Sequence, residues 1–326
     1  MAAGSLERGA GSEQIGHISG PHAAGLGTAA AVARPVGSSH CGWRYSGRLV
    51  PRLAAGEPGW QHILEVADEK VNEEAFGRPG ASRGASAYPQ IRFVSLVENG
   101  THVLFGSQMD GYRTGEITLA KAVLPCLAKG MLCLADRNFF GFALWQQAQT
   151  TGADLLWRMK KNMRMACEQR LSDGSCLSHV YPSERDWRHK TRGIAVRVVD
   201  YQLEGIEGAE PIYRLATTIL NPDRAPASEL AALYHERREI ETALDELKTH
   251  LRGAHMVLRS KTPELVRQEF YGLLMAHFAV RGLMHEAALK ASQDPDRLSF
   301  LHAVRVVRRK LAICPAISPA EENRVS

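Results

Sequence analysis

Residues 230–251 read LAALYHERREIETALDELKTHL. At about 100° per residue, Leu233, Ile240, Leu244, Leu247 and Leu251 fall on a stripe about 60° wide, the core-facing side of an amphipathic helix. With Tyr234 set at zero, Arg237, Glu241 and Lys248 fall at about 300°, 340° and 320°. These four polar side chains share one narrow face at the margin of the apolar stripe, whereas Glu236, Arg238, Glu239 and Glu246 spread over the solvated half. Such a line offers one carboxylate for a cation, flanked by donors able to grip phosphate oxygens. It also reads as a ladder of i to i+4 ion pairs such as Arg237–Glu241, and geometry alone leaves both readings standing.

Upstream, 91–97 (IRFVSLV) and 102–107 (HVLFGS) are β-rich runs separated by Glu98-Asn99-Gly100-Thr101, and Asn-Gly between two such runs predicts a hairpin. Residues 115–128 read as a helix that Pro125 ends or kinks. The short apolar run 131–135, MLCLA, is what a strand buried on both faces looks like, and it ends in Asp136. Residues 139–150 are helical and 154–159 (DLLWRM) read as a strand. From 161 to 222 the chain breaks into short β-like pieces such as 194–201 and 212–220. Beyond Pro226 it is helical, over 227–251, 264–290 and a shorter stretch at 298–311 with a basic end. The order of elements predicts a mixed α/β sheet interrupted by a smaller β module.

The first sixty residues hold 12 of the 29 glycines and lack helical or strand periodicity, so a disordered tail is expected there. The remaining composition is ordinary for a globular protein, with 44% hydrophobic and 23% charged residues. A net charge of +5 permits a polyanionic partner without requiring one. The six cysteines show no CxxC spacing and read as reduced thiols, with Cys126 and Cys133 lacking companions at zinc-site spacing. No apolar run approaches the ~18 residues of a membrane helix and no signal peptide stands out, so a cytoplasmic protein without membrane association is expected.

Tyr234-x2-Arg237-x3-Glu241-x6-Lys248 resembles the Y-R-E-K signature of DDE transposases of the insertion-sequence-four family. AFGRPGASRGASAYP (75–89), YRTGE (112–116), LADRNFFG (134–141) and LRSKTPELV (258–266) resemble further family segments, so the similarity runs over about 64–290. The resemblance implies a ribonuclease H-like mixed sheet with a β-strand insertion and C-terminal helices. It divides the chain into a non-family segment at 1–62, the first part of the catalytic core at 63–160, the insertion at 161–225 and a helical part at 226–326. It also implies metal-dependent phosphodiester cleavage and strand transfer in DNA transposition, with Mg²⁺ or Mn²⁺ held by carboxylates and no small-molecule cofactor. By resemblance Asp136 and Glu241 are the second and third catalytic, metal-binding carboxylates, and Tyr234, Arg237 and Lys248 position transposon-end phosphates. The implied partners are double-stranded DNA, as transposon ends and target, and a second copy in a synaptic homodimer associated with the nucleoid.

Alternative readings accompany these residues. Asp136 also suits a strand-end turn or a helix N-cap. Trp187, amid Arg185, Arg188, His189, Lys190 and Arg192, is the best aromatic for stacking on an exposed base, although a partly buried Trp on a basic surface loop is the simpler reading. The loop Gly77–Gly84 could approach a phosphate backbone or be a plain turn. The family's first Asp-Gly-Thr is not found where Trp60-Gln61-His62 stand, which suggests a truncated or frame-shifted segment, a missing central strand and, as the alternative function, an inactive remnant that retains DNA binding. Asp68 and Asp110 make poor substitutes, Asp110 reading as a turn residue. A structural α/β protein unrelated to DNA is the third reading.

Overall fold

Hydrogen bonding between Gln90–Glu98 and Leu104–Gly111 forms the hairpin that the Asn-Gly signal predicts. The structure, a computed structural model, describes residues 44–45, 48–49, 51–54, 63–81, 84–99, 101–161, 163, 165–202, 210–235, 246–251 and 257–311. The elements that matter here begin with β1 (Pro51–Ala54), β2 (Ile63–Glu65), α1 (Lys70–Phe76), β3 (Gln90–Glu98), β4 (Leu104–Gly111) and α2 (Glu116–Val123). Next come β5 (Leu132–Ala135), α3 (Phe142–Gln149) and β6 (Asp154–Arg158), followed within the expected insertion at 161–225 by β7 (Gln169–Arg170), β8 (Cys176–Val180), α4 (Glu184–His189), β9 (Ile194–Tyr201) and β10 (Tyr213–Thr217). The C-terminal part holds α5 (Ala227–His235), a π-helical segment Glu246–Leu251, α6 (Pro263–Lys290) and α7 (Phe300–Leu311).

Among the described residues, ten strands form one sheet, in the order β7-β8-β9-β10-β6-β5-β1-β3-β2, with β4 paired to β3. The unit β4-β3-β1-β5-β6 is the ribonuclease H-like mixed sheet: an antiparallel hairpin, then a strand that runs antiparallel to β3 and parallel to β5, then parallel β5 and β6. Since β4 takes one edge of β3 along most of its length, β1 and β2 must share the other, where they pair with 95–98 and 90–92. The expected gap at the centre of the sheet is therefore corrected. Pro51–Ala54 fills it, in a stretch whose composition gave no strand signal. A strand with ladders on both sides takes its conformation from its partners more than from its own propensity.

Each face of the sheet is covered. On one, Val94, Leu96, Cys133, Ala135, Leu155 and Trp157 pack under Leu119, Val123, Leu144 and Trp145 of α2 and α3. On the other, Leu132, Leu134 and Leu156 meet Leu230, Leu233 and Tyr234 of α5, while Ile91, Phe93 and Val97 meet Leu247 and then Val266, Phe270 and Leu274 of α6. Helix α2 stops at Val123 and passes into a 3-10 turn containing Pro125, as a missing amide hydrogen requires. Helix α6 begins with Thr262 as N-cap, its side chain accepting from Leu265 N, and Pro263 at the first turn. At the register shift opposite Val94–Leu96 of β3, Gly106 of β4 adopts φ +54, and a Cβ there would lie 2.8 Å from the Cys126 side chain. Only glycine suits both demands.

The helix expected over 227–251 is described in two pieces. Glu246–Leu251 is π-helical, so its residues advance by less than the 100° used to place Lys248 on the Tyr234 face. Cys126, Cys133, Cys167 and Cys176 are free thiols. Among the described residues, no helix is long and apolar enough to cross a membrane.

Candidate active site

Strand β5 is wholly buried and delivers Asp136 at its C-terminal end, with 6% of the residue exposed. Side chains alternate along a strand, so Asp136 shares the face of Leu132 and Leu134, the face on which α5 packs. Phe139 N donates to Asp136 O over 3.0 Å, which turns the chain out of the sheet and toward α3. Helix α3 begins after Gly141, too far along for Asp136 to serve as its N-cap.

Pairing β5 with its neighbours extends the site sideways. Trp157 is level with Ala135, so Arg158 is level with Asp136 one rung further on. On the opposite side Arg52 is level with Leu134, which places Ala54 at the rung of Asp136. Alanine brings no carboxylate to that position. Asp110 accepts from Gly111 N and from Thr114 Oγ1, both over 2.8 Å, as a turn residue does. Asp68 is paired with Arg78. Neither stands in for a catalytic acid.

Tyr234 of α5 is brought directly to this strand. Its ring is buried, 3% exposed, and its hydroxyl donates to Ala135 O over 3.2 Å. Four-polar-residue symmetry on the helix face is therefore broken at its first member, which belongs to the core. Arg237 and Glu241 lie outside the described residues, as do Trp60, Gln61 and His62, and of Lys248 only the backbone in the π-helical segment is described.

A second cluster of basic groups was not foreseen. Arg137, the residue after Asp136, donates from Nη1 to Glu210 Oε1 over 3.2 Å. Arg158 Nη2 lies 2.7 Å from the same oxygen, and Lys161 Nζ lies 3.3 Å from Oε2. Burial works to raise the Glu210 pKa, but the hydrogen bond and charge of Arg158, joined by Lys161, outweigh it and hold the carboxyl below its ordinary range. The sequence signal was available in part, since Arg137 sits inside LADRNFFG. Arg158 becomes adjacent only once the β5–β6 register is known.

Trp187 stands apart from Asp136, half-buried on α4 in the insertion. It lines a pocket of about 450 Å³ with Phe142, Met163, His179 and Tyr181 among its walls. Lys190 Nζ lies 5.5 Å from the Trp187 ring centroid and 5.6 Å from that of Tyr181. Ser183 caps α4, and Asp186 is bound by Arg192, Ser183 and Thr191. Arg78, in the glycine-rich loop, is occupied by Asp68, Glu73 and the carbonyls of Ser86 and Ala87, so it tethers the loop.

Behind the π-helical segment, Glu246 is buried among His277, His102 and Arg281. His277 Nε2 lies 3.2 Å and Arg281 Nε 2.9 Å from Glu246 Oε2. Burial pushes the Glu246 pKa upward, but hydrogen bonds from His102 and His277 and the charge of Arg281 prevail and hold it at about 2. This cluster ties the segment to α6 and to the β3–β4 turn.

Residues 57–279 match the family described as transposase DDE domain. The chain belongs to that family. It is 27% identical over 259 residues to the transposase InsG for insertion sequence element IS4 of Escherichia coli (strain K12), an alignment covering 77% of this chain and 57% of that protein. It is 26% identical over 106 residues to the putative transposase InsZ of the same organism, covering 32% of this chain and 36% of InsZ. The chain thus spans little more than half the length of the first of these relatives. Among solved structures, the cryo-EM structure of the piggyBac transposase synaptic complex with hairpin DNA aligns with a TM-score of 0.45 at 12% identity, over 85% of this chain and 58% of that one.

Divalent metal ions are general to DDE transposases. Asp136 has the hard oxygen donors such an ion takes. Among the described residues, however, no three His, Cys, Asp or Glu side chains gather into a metal site, and the rung beside Asp136 carries Ala54. One described carboxylate does not by itself make a two-cation site.

Proposed function

We propose that this chain is a DNA transposase that cleaves phosphodiester bonds at transposon ends and transfers the freed strand to target DNA. The observation that carries the reading is the placement of Asp136 at the end of a central parallel strand, in a chain matched to the transposase DDE domain over 57–279, with Tyr234 of the signature helix bonded to that same strand. Asp136 and Glu241 are the catalytic carboxylates in this reading and the ligands for Mg²⁺ or Mn²⁺. Two such ions, when bound, activate the attacking oxygen and stabilise the leaving one.

The chain's own residues supply binding and alignment. Arg237 and Lys248 grip transposon-end phosphates, bidentately and as a point charge respectively. Tyr234 already uses its hydroxyl hydrogen on Ala135 O, so it reaches a phosphate only by giving up that bond; in the form described it sets the height of α5 over β5. Trp187, with Lys190 over its ring, offers a face on which an unpaired base stacks. The partner is double-stranded DNA, two copies synapse two ends, and the working location is the cytoplasm at the nucleoid.

The test is nicking of a duplex carrying the element's end sequence, with Mg²⁺ or Mn²⁺, by the wild-type chain, Asp136→Ala and Glu241→Ala. Cleavage that both substitutions abolish is expected. Salt-sensitive DNA binding without any cleavage by the wild-type chain would overturn the enzymatic reading.

A further inference from the structure

Three cations from separate parts of the chain converge on one carboxylate: Arg137 from the turn after β5, Arg158 from the end of β6, and Lys161 three residues later. Glu210 comes from the other side, in the segment that leads into β10. Its backbone N donates to Tyr213 Oη over 3.1 Å, and Tyr213 in turn holds Arg158, whose guanidinium carbon lies 4.7 Å from the ring centroid. Tyr213 is stacked on Tyr201 at 5.2 Å. Arg158 is thus held from two sides, by the tyrosine face and by the carboxylate. The Arg158 side chain is 8% exposed, that of Glu210 21%, and that of Lys161 64%, so the cluster opens to solvent on the lysine side.

Three positive groups meet one carboxylate at this point, and the Asp136 carboxylate stands on the neighbouring strand end. Two planar guanidinium forks and an ammonium set around a point suit an anion with more oxygens than a carboxylate has. The backbone of Arg158 is at the rung of Asp136 and Arg137 follows Asp136 in the chain, so two of the three cations are carried by the strand ends that meet at this acid.

We infer that Arg137, Arg158 and Lys161 form a binding site for a DNA backbone phosphate next to Asp136, and that Glu210 occupies it in the DNA-free chain as an internal stand-in that the phosphate displaces. The inference rests on the transposase reading and adds an autoinhibitory contact to it. Exchange of one anion for another keeps the buried Arg158 compensated throughout, which avoids leaving a buried cation alone. DNA binding at this point therefore costs the release of Glu210, and removing its charge removes that cost.

The experiment measures binding of a short fluorescein-labelled duplex across a salt series to the full chain, wild type, Glu210→Gln, Lys161→Gln and Glu210→Gln/Arg158→Gln. Glu210→Gln is expected to bind roughly 3- to 10-fold more tightly than wild type, in keeping with loss of one competing ion pair. The gain is expected to vanish in the double variant. Lys161→Gln, at an exposed position that leaves folding intact, is expected to weaken binding and to lower the salt slope by about 1. A folded Glu210→Gln that binds no better than wild type overturns the inference, since a merely structural tie predicts that result. If Glu210→Gln does not fold, an unchanged salt slope in Lys161→Gln overturns it instead. Failure of the wild-type chain to bind duplex at low salt would strike the transposase reading itself, whereas binding that ignores both substitutions strikes only the role of Glu210.

Discussion

The Tyr234 hydroxyl donates to the carbonyl oxygen of Ala135, the residue immediately before Asp136, across 3.2 Å of buried space. Through this bond α5 is fastened to the strand at whose end Asp136 stands, the acid proposed to be catalytic. Tyr234→Phe keeps the ring and removes the donor, leaving the Ala135 carbonyl without it. A loss of about 1 kcal/mol in stability is expected, read as a lower urea midpoint at unchanged m. Nicking is expected to fall by more than stability alone accounts for, because α5 loses its reference to Asp136. Equal nicking by the two proteins, both fully folded, would remove Tyr234 from the positioning machinery.

Stability should fall in acid in a defined window. The Glu246 carboxyl is held at about 2 against an ordinary 4.5, so its contribution is complete above 4.5 and is lost as pH drops from there toward 2. His277 is lowered from 6.5, burial acting first and Glu246 opposing it, so protonation of the unfolded chain below 6.5 weakens the fold in the same direction. Urea midpoints that decline from about neutral pH downward, and more steeply below 4.5, are expected. Glu246→Gln, which leaves buried Arg281 without its carboxylate, should cost about 3–5 kcal/mol at neutral pH and flatten the lower part of the profile. A flat profile in the wild-type chain would contradict the ionised state assigned to Glu246.

Ala54→Asp places a carboxylate at the rung of Asp136. Without divalent cations the like charges should destabilise the protein by about 0.2–1 kcal/mol. Millimolar Mg²⁺ should reverse the sign, raising the melting temperature of the variant more than that of the wild-type chain. An identical response of the two proteins to Mg²⁺ would show that positions 54 and 136 do not share a divalent cation.

Trp187→Ala tests the insertion pocket. Base stacking on an aromatic ring is worth about 1–3 kcal/mol, so affinity for an end carrying one unpaired base should drop between roughly 5- and 150-fold. Affinity for a fully paired duplex should change little. A uniform loss on both substrates would make Trp187 a wall of the pocket and no more.

Much of the fold was legible because it is local. The Asn-Gly hairpin, the stop at Pro125 and the apolar run ending in Asp136 each carry their signal within a few residues, and each appears where expected. Strand β1 was not legible. Its partners are Ser95–Glu98 and Leu134, some 40 and 80 residues away, and Pro51-Arg52-Leu53-Ala54 has no alternation of its own. Tyr234 was read as polar because of its hydroxyl, yet a tyrosine satisfies that group on a backbone carbonyl and buries the ring. The assumption of uniform α-helical advance failed over Glu246–Leu251, and the convergence of Arg137, Arg158, Lys161 and Glu210 needs a register that no single stretch encodes.

Strand β10 is hydrogen-bonded to β9 on one edge and to β6 on the other, so the strands of 161–225 and those of the preceding core share a single backbone lattice. From β8, which precedes the Trp187 helix, to β5, which Asp136 follows, there are four interstrand steps. At about 4.8 Å each they span roughly 19 Å, the rise of five or six base pairs of duplex. The sheet acts as a ruler. The span between its two ends is set by strand count.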